Sequence, residues 1–174
     1  MNTSDMLNEL DAATSDWLQT LSSFTQEEIN TVPFEGSWTP GQVADHILKS
    51  ASGVLQGITG PVKTTERNAE QHVELLRKIF LDFNTKMKSP DFVLPSNDAL
   101  NGQALVDGTA AALAGTREVL LTKDLTETCT LFALPNLGEL TRVELITFIT
   151  VHVMRHTHQL KNISAKLAEK TVVG

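Results

Sequence analysis

Apolar residues recur at steps of three and four along most of the chain, which is the period of an α-helix with one buried face. The segments with this period cover residues 4–23, 40–58, 70–87, 98–122 and 141–169. No alternating strand pattern of comparable length occurs. We therefore predict an all-α protein in which four of these segments form a four-helix bundle. The segment 70–87 would be an extra helix in a connection.

Two of the predicted helices begin with a clear start signal. Thr39 is followed by Pro40 and, three residues after the threonine, by Gln42. Thr141 is likewise followed three residues later by Glu144. A threonine with Gln or Glu three positions on forms a capping box, and proline is preferred at the first helical position. The sequence thus predicts the starting residues of the second and fourth bundle helices more sharply than those of the other helices.

The connections carry polar residues, glycine and proline. Residues 25–36 and 61–69 are predicted to be loops, and residues 126–138 an extended connection. Ser96, which follows a proline, is the predicted N-cap of the third bundle helix. Cys129 is the single cysteine, so no internal disulfide can form, and we expect a half-buried thiol rather than a nucleophile.

Composition narrows the class of protein. The chain has 174 residues, 41% apolar and 20% charged, which suits a globular fold, and we expect one domain over residues 1–174. Lys and Arg number 14 against 21 Asp and Glu, and the net charge of −7 argues against a nucleic-acid partner. No apolar run approaches the roughly 20 residues that span a bilayer. The N-terminal segment lacks the pattern of a signal peptide, so we expect a cytoplasmic protein with no membrane partner.

The five histidines carry the most specific chemical signal. His152 and His156 lie four residues apart on the apolar stripe of the last helix, where both rings can reach one metal ion. His46 borders the apolar stripe of the second bundle helix, whereas His158 and His72 are expected at the surface. The pattern alone leaves two interpretations open: a three-histidine metal site, or ordinary core histidines.

Several other chemistries are disfavoured. Val153 stands where a zinc peptidase of the His-Glu-x-x-His type would carry its general base. No Glu-x-x-His pair of the di-iron bundles occurs, nor any glycine-rich phosphate loop.

Weaker candidates surround the histidines. Gln159, one turn past His156, would either orient a ligand or make an ordinary interhelical hydrogen bond. Arg155 is a candidate for an anionic cofactor group, although a surface salt bridge is the simpler interpretation. Asp45 is expected to face outward. Gln103 and Asp107 lie in the middle of the third bundle helix, and the sequence assigns them no role.

Two segments resemble the DinB/YfiT-like superfamily. The segment Trp38-Thr39-Pro40-Gly41-Gln42-Val43-Ala44-Asp45-His46-Ile47 is similar to the start of that family's second helix, which a Trp and a Ser or Thr introduce. The segments 137–141 and 152–159 are similar to the entry and the His-x-x-x-His pattern of its last helix, with Arg before the second His and Gln three residues after it. The resemblance covers most of the chain.

The resemblance implies an up-down-down-up bundle, often a homodimer, in which His46, His152 and His156 bind a divalent metal. Zn, Ni and Fe all accept imidazole, so the ligands do not select among them. It also implies a small-molecule substrate and a low-molecular-weight thiol, of the bacillithiol kind, as cofactor. We therefore expect a thiol-dependent S-transferase acting on small electrophiles. The alternatives are a metal-dependent hydrolase, a non-catalytic metal-binding bundle of the stress response, and a bundle whose histidines are structural.

Overall fold

The computed structural model describes residues 2–173, and the side chains of residues 2–169. The single domain expected over residues 1–174 includes Met1 and Gly174, which lie outside this range, and it stays a prediction. Within the range the elements are α1 (Thr3–Ser22), α2 (Gln26–Ile29), α3 (Pro40–Thr59), β1 (Val62–Lys63), α4 (Val73–Phe80), a 3-10 turn (Asp91–Val93), α5 (Gly102–Thr122), β2 (Thr128–Cys129) and α6 (Arg142–Val173).

Helices α1 and α5 run antiparallel. Asp11, in the first half of α1, pairs with Arg117 in the second half of α5 at 2.9 Å. Further along α1, the Trp17 indole donates a hydrogen bond to the Thr109 hydroxyl at 3.2 Å. Residue numbers therefore fall along α5 as they rise along α1. Trp17 is fully buried, and it belongs to the core cluster that joins the bundle helices.

Helices α3 and α5 run parallel and approach closely. A Cβ at Gly108 would lie 3.0 Å from Leu48, and one at Gly115 would lie 2.8 Å from Leu55. Both pairs are separated by the same number of residues, so the two chains advance together. A side chain at either glycine would force these leucines to move, so the two glycines allow α3 and α5 to approach closely.

Helices α3 and α6 run antiparallel, because Arg142 at the start of α6 donates to the carbonyl of Ile58 at the end of α3, at 2.8 Å. Helix α1 packs against α5 and α6, and α3 packs against the same two helices. With α1 up, α5 and α3 are therefore down and α6 is up. The predicted up-down-down-up four-helix bundle is confirmed. No helix in the described part of the chain has the length and hydropathy needed to cross a bilayer.

Both predicted capping boxes are present. The Thr39 hydroxyl accepts from the Gln42 amide while the Gln42 side chain accepts from the Thr39 amide, both at 3.1 Å. Thr141 and Glu144 exchange the equivalent bonds at the start of α6, at 3.0 and 3.3 Å. The interval 25–36, expected to be a loop, also holds a short capped helix, α2, whose N-cap is Thr25.

The predicted helix over residues 70–87 is mostly wrong, since α4 covers only Val73–Phe80. Its end has a local cause. The Asp82 carboxylate accepts from the Asn84 amide and from the Thr85 hydroxyl, at 3.1 and 2.6 Å. A side chain that binds the backbone in this way offers an alternative to helical hydrogen bonds.

The predicted start of α5 near Ser96 is also wrong. Asn101 is the N-cap, and its side chain accepts from the Ala104 amide at 2.8 Å. The Ser96 hydroxyl instead accepts from the Asp98 amide at 3.1 Å, which closes a turn before the helix. The predicted loop over residues 61–69 and the predicted extended connection over residues 126–138 hold β1 and β2, which form a short antiparallel pair with Val62 opposite Cys129.

A buried carboxylate ties the α3–α4 connection to α6. Glu144 is fully buried, and its carboxylate accepts hydrogen bonds from the two terminal guanidinium nitrogens of Arg67, at 2.6 and 2.7 Å. It also accepts the backbone amides of Thr141 and His72. Burial raises the pKa of Glu144, but these hydrogen bonds outweigh burial, so its pKa lies below the usual value.

The Glu144→Gln variant should lose about 3 kcal/mol of unfolding free energy near pH 7, because it leaves the Arg67 charge without its buried partner. The lowered native pKa fixes the sign of the pH dependence. Stability from the ionised carboxylate is complete above the unfolded pKa of about 4.3 and is lost as the pH falls through the native value. The difference between wild type and variant should therefore shrink toward pH 3, as measured by urea unfolding.

The exposed Glu118, replaced by Gln, is the matched control and should leave stability nearly unchanged at both pH values. A Glu144→Gln difference that stayed constant with pH would show that ionisation of this carboxylate contributes nothing.

Candidate metal centre

Three buried histidines from two helices meet in the bundle interior. His152 Nε2 lies 3.1 Å from His46 Nε2 and 3.0 Å from His156 Nε2. The three potential donor atoms all lie within 4.8 Å of one another, and no carboxylate or thiol belongs to the group in the described part of the chain. The side chains are 2%, 7% and 9% exposed for His46, His152 and His156. The residues predicted as metal ligands are thus brought together.

The helix geometry accounts for this meeting. The four-residue step between His152 and His156 places both rings on the same face of α6, one turn apart. The antiparallel contact of α3 with α6 brings His46, in the second turn of α3, opposite that face. None of the three rings is delivered by a loop, so the helix packing determines the cluster.

Two of the rings have their outer nitrogen held by an oxygen acceptor. His46 Nδ1 lies 2.8 Å from the carbonyl oxygen of Val93, and His156 Nδ1 lies 2.7 Å from the side-chain oxygen of Gln159. These oxygens accept, so each Nδ1 carries the proton. In the neutral ring the lone pair is then on Nε2, which is the atom that points to the centre of the cluster.

His152 is left in a conflict that the protein alone does not resolve. Its Nε2 faces the lone pairs of His46 and His156, and it can donate a proton to only one of them. Its Nδ1 is buried with no hydrogen-bond partner among the described residues. A cation at the centre would remove the repulsion, because each Nε2 lone pair would then have an electrophile to bind.

Burial keeps the cluster neutral. It lowers the pKa of His152 well below its usual value, and the neighbouring His156 and His46 lower it further. Burial and His46 lower the pKa of His156 to about 3. The pKa of His46 is also lowered by burial, although its bond to Val93 opposes the shift. Near neutral pH the imidazoles are therefore uncharged, and each has one nitrogen lone pair that a metal ion can accept.

Aromatic rings surround the histidines. Phe80 and Phe148 lie 5.3 and 5.1 Å from the His152 ring, between ring centroids, and Trp38 lies 5.4 Å from the His46 ring. Phe80 is the last residue of α4, and Phe148 lies one turn before His152 on α6. The surroundings are apolar and disfavour bulk water, so the electrostatic interactions of the cluster are strengthened.

The candidate cofactor-binding residues have partners of their own. The Gln159 oxygen is taken by His156 of the same helix rather than by another helix. Arg155 donates to the carbonyls of Phe80, Asp82 and Thr85, and so holds the end of α4 instead of forming the salt bridge that the sequence favoured. A cofactor role for either side chain stays a prediction.

The expectation that Asp45 faces outward is wrong. Its side chain is buried, and one carboxylate oxygen lies 2.8 Å from both Lys49 Nζ and the Ser96 amide. Ser96 was predicted as an N-cap of α5, and its contact with Asp45 was not predicted. Val93, the missed partner of His46, contributes only a backbone carbonyl, so no residue type marks it.

The remaining candidates lie outside the cluster. Gln103 and Asp107 are exposed and hydrogen-bond to each other at 2.8 Å. His158 is exposed, as expected, and stacks on Phe83, whereas His72 is partly buried. Cys129 is fully buried rather than half-buried, and burial raises the pKa of its thiol to about 11. That thiol is not an activated nucleophile.

Comparison with known proteins agrees with this arrangement. The family model of the DinB superfamily matches residues 9–160, a range that contains all three histidines. The chain belongs to the DinB superfamily. It is also similar to YuaE of Bacillus subtilis (strain 168), an uncharacterized protein, with 27% identity over 159 residues that cover 84% of this chain and 90% of the relative. No solved structure matches the chain.

The tautomer of His156 provides a direct test of the hydrogen-bond assignment. In the metal-free protein the two ring nitrogens should show well-separated 15N shifts, with the proton on Nδ1. The Gln159→Leu variant removes the acceptor, so this separation should shrink for His156 in long-range 1H–15N spectra. The ring of exposed His158 is the internal control and should not change. Equal His156 shifts in wild type and variant would contradict the assignment.

Proposed function

We propose that His46, His152 and His156 bind one divalent metal ion through their Nε2 atoms. The observation that carries this proposal is the convergence of three neutral imidazoles whose Nε2 atoms face one another. Imidazole nitrogens at about 2.0–2.1 Å from a tetrahedral ion lie roughly 3.3 Å apart. The Nε2 distances of 3.1 and 3.0 Å are close to this value, so small ring movements suffice.

The donor set favours a reactive site over a purely structural one. Three neutral ligands preserve the full charge of the ion and leave a position for a further ligand, as in catalytic zinc sites. Zn, Ni and Fe all accept imidazole. When bound, such an ion would lower the pKa of a coordinated water or thiol and supply a nucleophile near neutral pH.

The residues around the cluster favour a thiol over a base-assisted water. The cluster contains no carboxylate within the described residues, and the nearby rings of Phe80, Phe148 and Trp38 are apolar. A thiol whose pKa the ion lowers would release its proton to solvent on binding. The thiolate would then form a carbon–sulfur bond while the electrophile loses a leaving group such as halide or opens a ring such as an epoxide, so no carboxylate base is needed. We infer a transferase that joins a low-molecular-weight thiol to a small electrophile, with Gln159 and Val93 holding the ligand rings in orientation.

Metal content tests the first part of this proposal. Wild-type protein purified without an affinity tag should contain about one divalent ion per chain by plasma mass spectrometry. His152→Ala removes the ligand at the centre of the cluster and should reduce the content to near zero. His158→Ala, on the same helix but exposed, should retain the wild-type content. Absence of metal from wild type, even after addition of Zn²⁺ or Ni²⁺, would refute the site.

Thiol consumption tests the second part. Metal-loaded wild type should accelerate the reaction of a small thiol with an alkyl halide or an epoxide, and His152→Ala should reduce the rate to background. His158→Ala should keep it. Hydrolysis of small esters or amides without any thiol requirement would favour a metal-dependent hydrolase instead. A loaded protein inactive in both assays would favour a non-catalytic metal-binding bundle.

A further inference from the structure

The carbonyl that orients His46 belongs to a segment without regular structure. We call residues 91–97 the strap: it contains the 3-10 turn Asp91–Val93 and then an extended stretch that leads toward α5. Val93 is 8% exposed, but its neighbours Phe92 and Leu94 are 73% and 43% exposed. Apolar burial therefore fixes little of the strap, and the position of the Val93 carbonyl must depend on other contacts.

Polar side chains of α3 supply those contacts. Lys49 Nζ donates to the Leu94 carbonyl at 2.8 Å, and the Asp45 carboxylate accepts from the Ser96 amide at 2.8 Å. Lys49 and Asp45 also pair with each other at 2.8 Å. The ion pair thus holds the strap at Leu94 and at Ser96, which lie one and three residues after Val93.

The spacing on α3 joins this pair to the metal ligand. Asp45 and Lys49 lie four residues apart on α3, so they are neighbours on its surface, and His46 lies three residues before Lys49. Gln42, one turn earlier on α3, adds a bond from its side chain to the Ser96 carbonyl at 3.3 Å. Helix α3 therefore carries His46 and also the side chains that hold the strap. The strap in turn supplies the Val93 carbonyl that accepts from His46 Nδ1.

We propose that Asp45 and Lys49 are positioning residues for the metal centre, acting through the strap to hold the Val93 carbonyl on His46 Nδ1. This inference rests on the proposed function. If the strap loosens, His46 Nδ1 loses its acceptor and the proton can move to Nε2, which then offers no lone pair to a metal. Groups that orient a ligand ring in this way change metal affinity 10–100-fold when removed, as an order-of-magnitude guide.

The test compares Lys49→Met with the wild type. Lys49 is partly exposed, and Met keeps most of its aliphatic stem, so the fold should persist. Zinc affinity, measured by chelator competition at fixed pH, should fall about 10-fold or more. In the metal-free protein, the separation of the two His46 15N shifts should shrink, whereas that of His156 should not. A general loss of structure would change both rings.

Three further variants complete the design. Lys49→Arg, which keeps a cationic donor, should restore much of the affinity. Asp45→Asn, which breaks the charge pair, should weaken zinc binding as Lys49→Met does. Lys161→Met removes a more exposed lysine–aspartate pair, with Asp16 on α1 and away from the strap, and should change neither readout.

The outcomes separate the two proposals. If wild type binds zinc and Lys49→Met binds it equally tightly with unchanged His46 shifts, the positioning role is wrong and the metal site stands. If wild type binds no zinc, the proposed function fails. The metal-free His46 shifts would then still show whether the pair holds the strap on that ring.

Discussion

The antiparallel register of α3 on α6 is the constraint on which the rest of the site depends. Arg142 fixes one end of this contact by donating to the Ile58 carbonyl, and the histidines occupy it near the other end. A slip of one residue along either helix would rotate a histidine ring by about 100° away from its partners. The same packing excludes water from the rings, so the position and the protonation state of the histidines have a common origin.

Much of this could be predicted from the sequence, because it depends on local rules. The helical period, the capping boxes at Thr39 and Thr141, and the spacing of His152 and His156 are properties of short segments. The third histidine, His46, depends on the tertiary arrangement. The sequence could place it at the border of an apolar stripe but not opposite a particular turn of α6. The family resemblance supplied that link, and the structure brings the three rings together. The family match over residues 9–160 confirms the resemblance itself.

The parts that the sequence could not provide involve backbone atoms and long-range partners. Val93 holds His46 through a carbonyl that every residue possesses. Asp45 was expected to face outward because it lies about 100° around α3 from His46. It is buried instead, and a lysine and a distant backbone amide satisfy its carboxylate. The end of α4 was also missed, because contacts with backbone atoms determine it. Its apolar period continues past Phe80, but Asp82 and Arg155 engage the backbone there and favour another conformation.

The hydrogen bonds from α3 to the strap involve main-chain atoms of Leu94 and Ser96. The contact with His46 likewise involves the main-chain carbonyl of Val93. The side chains of Phe92 and Leu94 project outward and take no part in either contact. Evolution is therefore free to vary these side chains while the chemistry of the histidines is preserved. A bundle built in this way can acquire a new surface beside an unchanged histidine cluster, by substitution alone and without rearrangement of its helices.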